Sequence, residues 1–172
     1  MSNITLSNLQ FSNMFSYGKE NSLDLNRSRI TQLTAPNGSG KSSIAMIIQE
    51  ILFNKNIKGI KKTDILNLWT KDKQWTGSIE FDIDGASYSV AVQRSGASTK
   101  VQLLKCGIDI SDHKVLDTYK KIQELLGINF EIFSQLTYQS SVDLLEFLKA
   151  TDTNRKKFLI NLFNLEKYIM IG

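Results

Sequence analysis

The sequence predicts an α/β fold in which a phosphate-loop core carries an added antiparallel β layer. Three observations predict it. Residues 35–42 read APNGSGKS, a glycine loop ending in lysine and serine, and the apolar, helically spaced SIAMIIQEILF follows at 43–53. Residues 78–83 and 88–92 alternate apolar and polar side chains on either side of Asp84 and Gly85, the pattern of a tight hairpin. The segments run strands, loop, helix, hairpins, helices, whereas a doubly wound nucleotide fold alternates strand and helix throughout.

Residues 3–13 alternate and predict an edge strand; 21–26 predict a second, with Gly18 in the turn between. Residues 29–34, RITQLT, are short, alternate and carry β-branched side chains, which predicts a strand feeding directly into the glycine loop. A basic connector at 54–62 follows the loop's helix, and residues 63–69 predict a short helix capped by Thr63 or Asp64. Residues 77–94 form the clearest hairpin, and 99–104 with 108–110 a further one around Cys106 and Gly107. Residues 114–126 are helical in pattern and stop at Gly127.

The loop carries the chemistry. A triphosphate needs several backbone N–H groups aimed at it, a mobile cation, and a hydroxyl that holds magnesium. Asn37, Gly38, Ser39, Gly40, Lys41, Ser42 and Ser43 supply such a cradle, with Gly38 and Gly40 letting the backbone curl without a Cβ in the way. Lys41 reaches the β- and γ-phosphates, Ser42 ligates Mg²⁺, and the helix N-terminus favours the anion. The expected ligands are ATP and Mg²⁺.

With 172 residues the chain can bury one core, so one domain or most of one is expected. Its 41% hydrophobic and 22% charged residues describe an ordinary soluble globular protein, without a run long enough to span a bilayer. The start, MSNITLSNLQ, lacks the basic and apolar regions of a signal peptide, and the single Cys106 excludes an internal disulfide. A cytoplasmic location is expected. Net charge is +4, and Lys55, Lys58, Lys61 and Lys62 fall close together after the loop's helix; they either meet DNA phosphates or the nucleotide, or form a solvated loop. His113, the one histidine, has no clustered partner and reads as a surface residue.

Over nearly its whole length the chain resembles the N-terminal half of the ATPase subunit of SbcC-type, SMC-like DNA-end-processing complexes, and among these the large subunits of phage recombination exonucleases. The resemblance rests on NMFSYG at 13–18, similar to the family's Asn-Phe-Arg-Ser segment, and on APNGSGKSS at 35–43, where the family form begins with Gly. It also rests on the connector KGIKKTDI at 58–65, and on residues 133–168, similar without gaps to the stretch from the Q-loop into the coiled coil. Phe147, Leu148, Lys149, Ala150 and Arg155 fall in the expected places there. Two departures stand out. Phe15 occupies a position that often holds arginine, so a basic switch role does not carry over. The Q-loop slot holds Ser141, with Gln139 two residues earlier; either neutral oxygen suits the outer shell of a hard cation.

The resemblance implies the first lobe of an ABC/SMC-type P-loop ATPase head in residues 1–152, and in 153–172 a helix leading into a coiled coil. It implies an ATP-gated clamp that controls a partner metal-dependent nuclease of SbcD type in recombination and repair. The implied partners are the C-terminal half of the same ATPase, a second head joined across ATP, the nuclease and double-stranded DNA, with no membrane; a phage-encoded chain would work in the host cytoplasm.

Phosphoryl transfer also needs a second carboxylate for the metal and a group that orients water. In this class an apolar strand ending in Asp-Glu supplies both, and a Ser-Gly-Gly signature caps the opposing γ-phosphate. Neither is present: Asp82 and Asp84 belong to a hairpin, and Asp143 to a helix or loop. The chain is therefore expected to be a half-head, inactive in isolation. Residues 158–171 are apolar around most of a helix, and need covering by the returning coiled-coil strand or the nuclease. Other readings are an SMC- or RecF-like DNA-binding ATPase without a nuclease, a transporter ATPase subunit, or a small P-loop kinase. The kinase would need lid arginines, and only Arg94 and Arg155 follow the loop.

Overall fold

The computed structural model describes residues 3–137, 150–163 and 165. The chain divides into two compact units, Met1–Leu126 and Gly127–Gly172.

The first unit is built on a six-stranded antiparallel sheet in the order β2-β1-β3-β4-β5-β6. Its strands are β1 (Ile4–Ser12), β2 (Asn21–Asp24), β3 (Gln74–Ile83), β4 (Ala86–Ser95), β5 (Ser98–Lys105) and β6 (Ile108–Asp109). The alternation read in the sequence sets the two faces. Trp75, Gly77, Ile79 and Phe81 of β3 share a face with Tyr88, Val90 and Val92 of β4, and all are buried. Helices α1 (Lys41–Phe53) and α2 (Val115–Leu126) pack on the sheet, α1 against β3 and β4 and α2 against β5. Met46, Ile47, Ile51, Leu52 and Ile122 complete this core. Gly77 is where the helix comes closest: a Cβ there would stand 2.8 Å from Ile51 Cδ1.

Asp84 and Gly85 turn β3 into β4 with φ of 50° and 86°, and Cys106 and Gly107 turn β5 into β6 with 49° and 80°. Both are the left-handed pairs that a two-residue hairpin requires. Gly127, at φ 66°, closes α2 as its sequence position predicts.

Three expectations are corrected. Residues 3–13 do not form an edge strand: β1 is hydrogen-bonded on both sides, to β2 and β3. Residues 29–34 join no strand, and Ile30 and Leu33 are 89% and 46% exposed. Alternation describes a strand's two faces without supplying a ladder partner, and none of the described strands offers one. The helix predicted over 63–69 shrinks to a single 3₁₀ turn, Lys62–Asp64. The turn after β1 captures the next backbone groups instead, with Phe15 N–H donating to Ile65 O (2.6 Å) and Asn67 N–H to Asn13 O (2.9 Å).

The second unit contains α3 (Phe130–Thr137) and α4 (Asp152–Leu162). Asn129 caps α3, its Oδ1 accepting from the Ile132 N–H at 2.9 Å. At the start of α4 the Arg155 guanidinium donates to Ala150 O (3.0 Å) and pairs with Asp152 (3.1 Å). Gln139, Ser141, Asp143 and residues 147–149 lie outside the described residues, as does most of the apolar stretch beyond Leu162. No helix among the described residues is long and apolar enough to cross a membrane.

Candidate phosphate site

Residues 36–40 form a tight loop that delivers the chain into α1. Gly38 and Gly40 have φ of 83° and 91°, backbone that a residue with a Cβ adopts only under strain. Gly40 is the N-cap and accepts from the Ser43 N–H at 2.8 Å. No side chain caps α1 and its first turn contains no acidic residue, so the helix N-terminus keeps its preference for an anion. Asn37, Ser39 and Ser42 are exposed around this end, and Ser43 is buried beneath it. Lys41 folds over the loop, its Nζ donating to Ala35 O (2.5 Å) and Pro36 O (2.8 Å). One cation, a bare helix N-terminus and an exposed hydroxyl in the first turn are a donor set that fits a magnesium-bound phosphate chain.

The loop leans on the turn after β1. Tyr17 Oη donates to Gly40 O at 3.1 Å, and a Cβ on Gly40 would meet Ser16 Cβ and the Tyr17 ring, each at 3.2 Å. Partial burial holds the Tyr17 phenol above its usual pKa, so it remains a donor. Phe11 meets the Tyr17 ring edge-on with centroids 5.1 Å apart. Asn21 Nδ2 ties the turn to the sheet by donating to Phe11 O (3.2 Å) and Gly18 O (2.8 Å). Sequence reasoning did not single out Ser16 or Tyr17 as site residues; the motif NMFSYG was the available signal.

The basic connector separates into two roles. Lys62 turns inward, and its ammonium pairs with the fully buried Glu50 of α1 and donates to Asn54 O at 2.6 Å. Asn56 completes the cluster, donating from Nδ2 to Glu50 Oε1 (2.6 Å) and Ile60 O (3.0 Å). Burial lowers the Lys62 pKa, against the raising influence of Glu50. The structure therefore does not place Lys62 with the outward lysines, because a buried carboxylate needs its charge balanced. Lys55, Lys58 and Lys61 lie exposed on the connector.

Asp82 and Asp84 sit at the far end of β1 from the phosphate loop, where Asp84 Oδ1 accepts from the Asn3 N–H at 2.8 Å. Neither is placed to serve a metal at Ser42. Among the described residues no group of three or more His, Cys, Asp or Glu is arranged to hold a metal ion, and His113 is exposed.

Comparison with known proteins bears on the family and the fold. A family model for an AAA domain (AAA_23) matches residues 8–170. The chain is 45% identical over 169 residues to the probable exonuclease subunit 2 of Escherichia phage T5, covering 98% of this chain and 27% of that protein. It is 28% identical to the SbcC component of the SbcCD nuclease of Bacillus subtilis, covering 93% of this chain and 15% of the relative. The chain thus spans about a quarter or less of the length of these two relatives. Its fold matches a solved SMC ATPase, from work on ATP-driven dimerization and DNA-stimulated activation, with TM-score 0.64 at 18% identity, over 91% of this chain and 98% of that one. It also matches the recombination mediator RecF with ATP, with TM-score 0.60 at 15% identity, over 99% of this chain and 44% of that one. The fold is thus that of an ABC/SMC-type ATPase head fragment, and the chain belongs to the AAA_23 family of AAA domains, with SbcC-type and phage exonuclease proteins among its relatives.

Proposed function

We propose that this chain is the nucleotide-binding half of an ATPase head that acts with a metal-dependent nuclease on DNA ends. The observation that carries the reading is the phosphate loop: Gly38 and Gly40 in left-handed backbone, an uncapped α1 N-terminus, and Lys41 and Ser42 beside it. Backbone N–H groups of residues 38–43 would hold the phosphates of ATP, Lys41 would leave the Ala35 and Pro36 carbonyls for the β- and γ-phosphates, and Ser42 would ligate Mg²⁺. Bound Mg²⁺ would neutralise the charge that develops on the phosphoryl oxygens. Gln139 or Ser141 would complete its outer shell.

The unpaired segment 29–34, with Ile30 and Leu33 exposed, suits a strand whose ladder partner comes from the C-terminal half of the head. That half would also bring the second carboxylate and the signature that caps the opposing head's ATP. Residues 1–152 then form the N-terminal part of the head, and 153–172 the entry to a coiled coil. Two heads closing on two ATP molecules would form the clamp, because triphosphate that bridges the closed state shifts the population toward it. Lys55, Lys58 and Lys61 would meet DNA phosphates. The complex would work in the cytoplasm, the host's if the gene is a phage's.

The relatives named as exonuclease or SbcCD subunits support a nuclease partner. The test is reconstitution with the C-terminal half and an SbcD-type nuclease on linear duplex DNA. ATP-dependent degradation that disappears in Lys41→Ala supports the proposal. Undiminished ATP-dependent degradation in Lys41→Ala overturns the site, and failure of any nuclease to associate favours a RecF-like DNA-binding ATPase.

A further inference from the structure

We propose that Trp75, Arg94 and Tyr119 form a buried site for a small inorganic anion, of chloride size, between the sheet and α2. The Trp75 Nε1, Arg94 Nε and Tyr119 Oη atoms are all buried, and none has a hydrogen-bond partner. Buried polar groups are rarely left so, and an indole or guanidinium N–H can only donate. The missing partner is therefore an acceptor.

The fold brings the three side chains to one place. Trp75 of β3 and Arg94 of β4 stand directly opposite each other in the ladder. Arg94 continues the face of β4 that carries the buried Tyr88, Val90 and Val92, so it stands on the side covered by the helices. Tyr119 belongs to α2, which packs on α1 and β5, and both Glu50 and Arg94 act electrostatically on its phenol. The Lys62 ammonium feels the same two groups. Trp75 and Tyr119 are 3% and 4% exposed. Burial this deep excludes a phosphodiester chain or a large organic acid and favours a single small ion.

The charges ask for the same occupant. Glu50 is already committed, its Oε1 accepting from Asn56 Nδ2 (2.6 Å) and its Oε2 paired with Lys62. Arg94 donates from Nη1 to the neutral Thr99 Oγ1 at 2.9 Å and forms no ion pair among the described residues. Two cations, Lys62 and Arg94, thus share one carboxylate, and a half-buried guanidinium remains unbalanced. An anion accepting from Arg94 Nε, Trp75 Nε1 and Tyr119 Oη would balance that charge and satisfy three donors at once. Water would satisfy the donors without balancing the charge, so the test separates the two.

The test is urea denaturation of the 172-residue chain at constant ionic strength, with chloride, bromide or acetate replacing gluconate. Either halide should stabilise the chain, the unfolding constant falling about ten-fold once the halide reaches about ten times its dissociation constant. Arg94→Gln should abolish this response and Tyr119→Phe should weaken it, whereas Lys100→Gln, at an exposed lysine, should keep it in full. In gluconate alone Tyr119→Phe should match the natural chain. The readout is the halide dependence rather than stability itself, so a less stable variant still reports on the site. Crystals grown in bromide should show its anomalous scattering between Trp75, Arg94 and Tyr119. Stability indifferent to halide, a full response in Arg94→Gln and Tyr119→Phe, or bromide bound only elsewhere overturns the site. Stabilisation by acetate but by neither halide overturns it as well, since the occupant would then be a carboxylate.

Discussion

The Tyr17 hydroxyl donates to the Gly40 carbonyl across 3.1 Å, joining the turn after β1 to the residue that caps α1. That carbonyl also accepts from the Ser43 N–H, so it is held from both sides. The geometry of the phosphate loop thus depends on the antiparallel layer, through a turn that Asn21 and Asn67 anchor in turn.

Tyr17→Phe should remove this one bond while keeping the ring against Gly40. The expected stability loss is about 0.5–1.5 kcal/mol, with a larger proportional effect on nucleotide affinity than on the melting midpoint. Gly40→Ala should be more severe, because the left-handed backbone strain of about 1–2 kcal/mol adds to contact with Ser16 and Tyr17. Urea melts and Mg-ATP titrations of the three proteins check both. Unchanged affinity in Tyr17→Phe would show that the loop holds its shape alone.

Gly77→Ala should destabilise the first unit by about 1–3 kcal/mol, since the new methyl group meets Ile51 Cδ1 and Cγ1 at 2.8 and 2.9 Å. Ile51→Val should relieve part of that cost in the double mutant. A chemical-denaturation cycle measures the coupling, and additive losses would contradict the packing described.

The connector lysines should divide by role. Lys58→Glu with Lys61→Glu should leave stability unchanged, lower DNA affinity and reduce the salt slope by about two. Lys62→Met should instead destabilise the fold by about 2–4 kcal/mol, because Glu50 loses the charge that balances it in the interior. A Lys62 variant with normal stability and weakened DNA binding would reverse this division.

Tyr119 should mark the alkaline limit of the fold. Its hydroxyl is buried without a hydrogen-bond partner, and burial, helped by the nearby Glu50, raises its pKa above the ordinary 10.0. The folded state then keeps a proton that the unfolded chain releases, so this contribution is complete below pH 10 and is lost as pH rises beyond it. Stability should fall more steeply above pH 10 in the natural protein than in Tyr119→Phe, which should be no less stable near neutrality. Parallel curves from urea melts at several pH values would contradict this.

Local chemistry was legible where it decides local structure. Asp84 with Gly85 and Cys106 with Gly107 announce their hairpins, and the loop's glycines take the left-handed backbone that their positions predict. Facts set by distant partners were not legible. The alternation of residues 29–34 says nothing of what they pair with, and a lysine cluster does not reveal that Lys62 turns toward Glu50. The support of Gly40 by Tyr17 joins residues 23 apart in the chain, and no periodic pattern records it.

The most direct test of the account is Mg-ATP turnover by the 172-residue chain alone, then with the C-terminal half of the head, then with duplex DNA added. The account predicts no turnover alone, turnover on adding the C-terminal half, and its loss in Lys41→Ala. Robust turnover by the 172 residues alone would mean that they hold a complete active site, and would contradict the half-head.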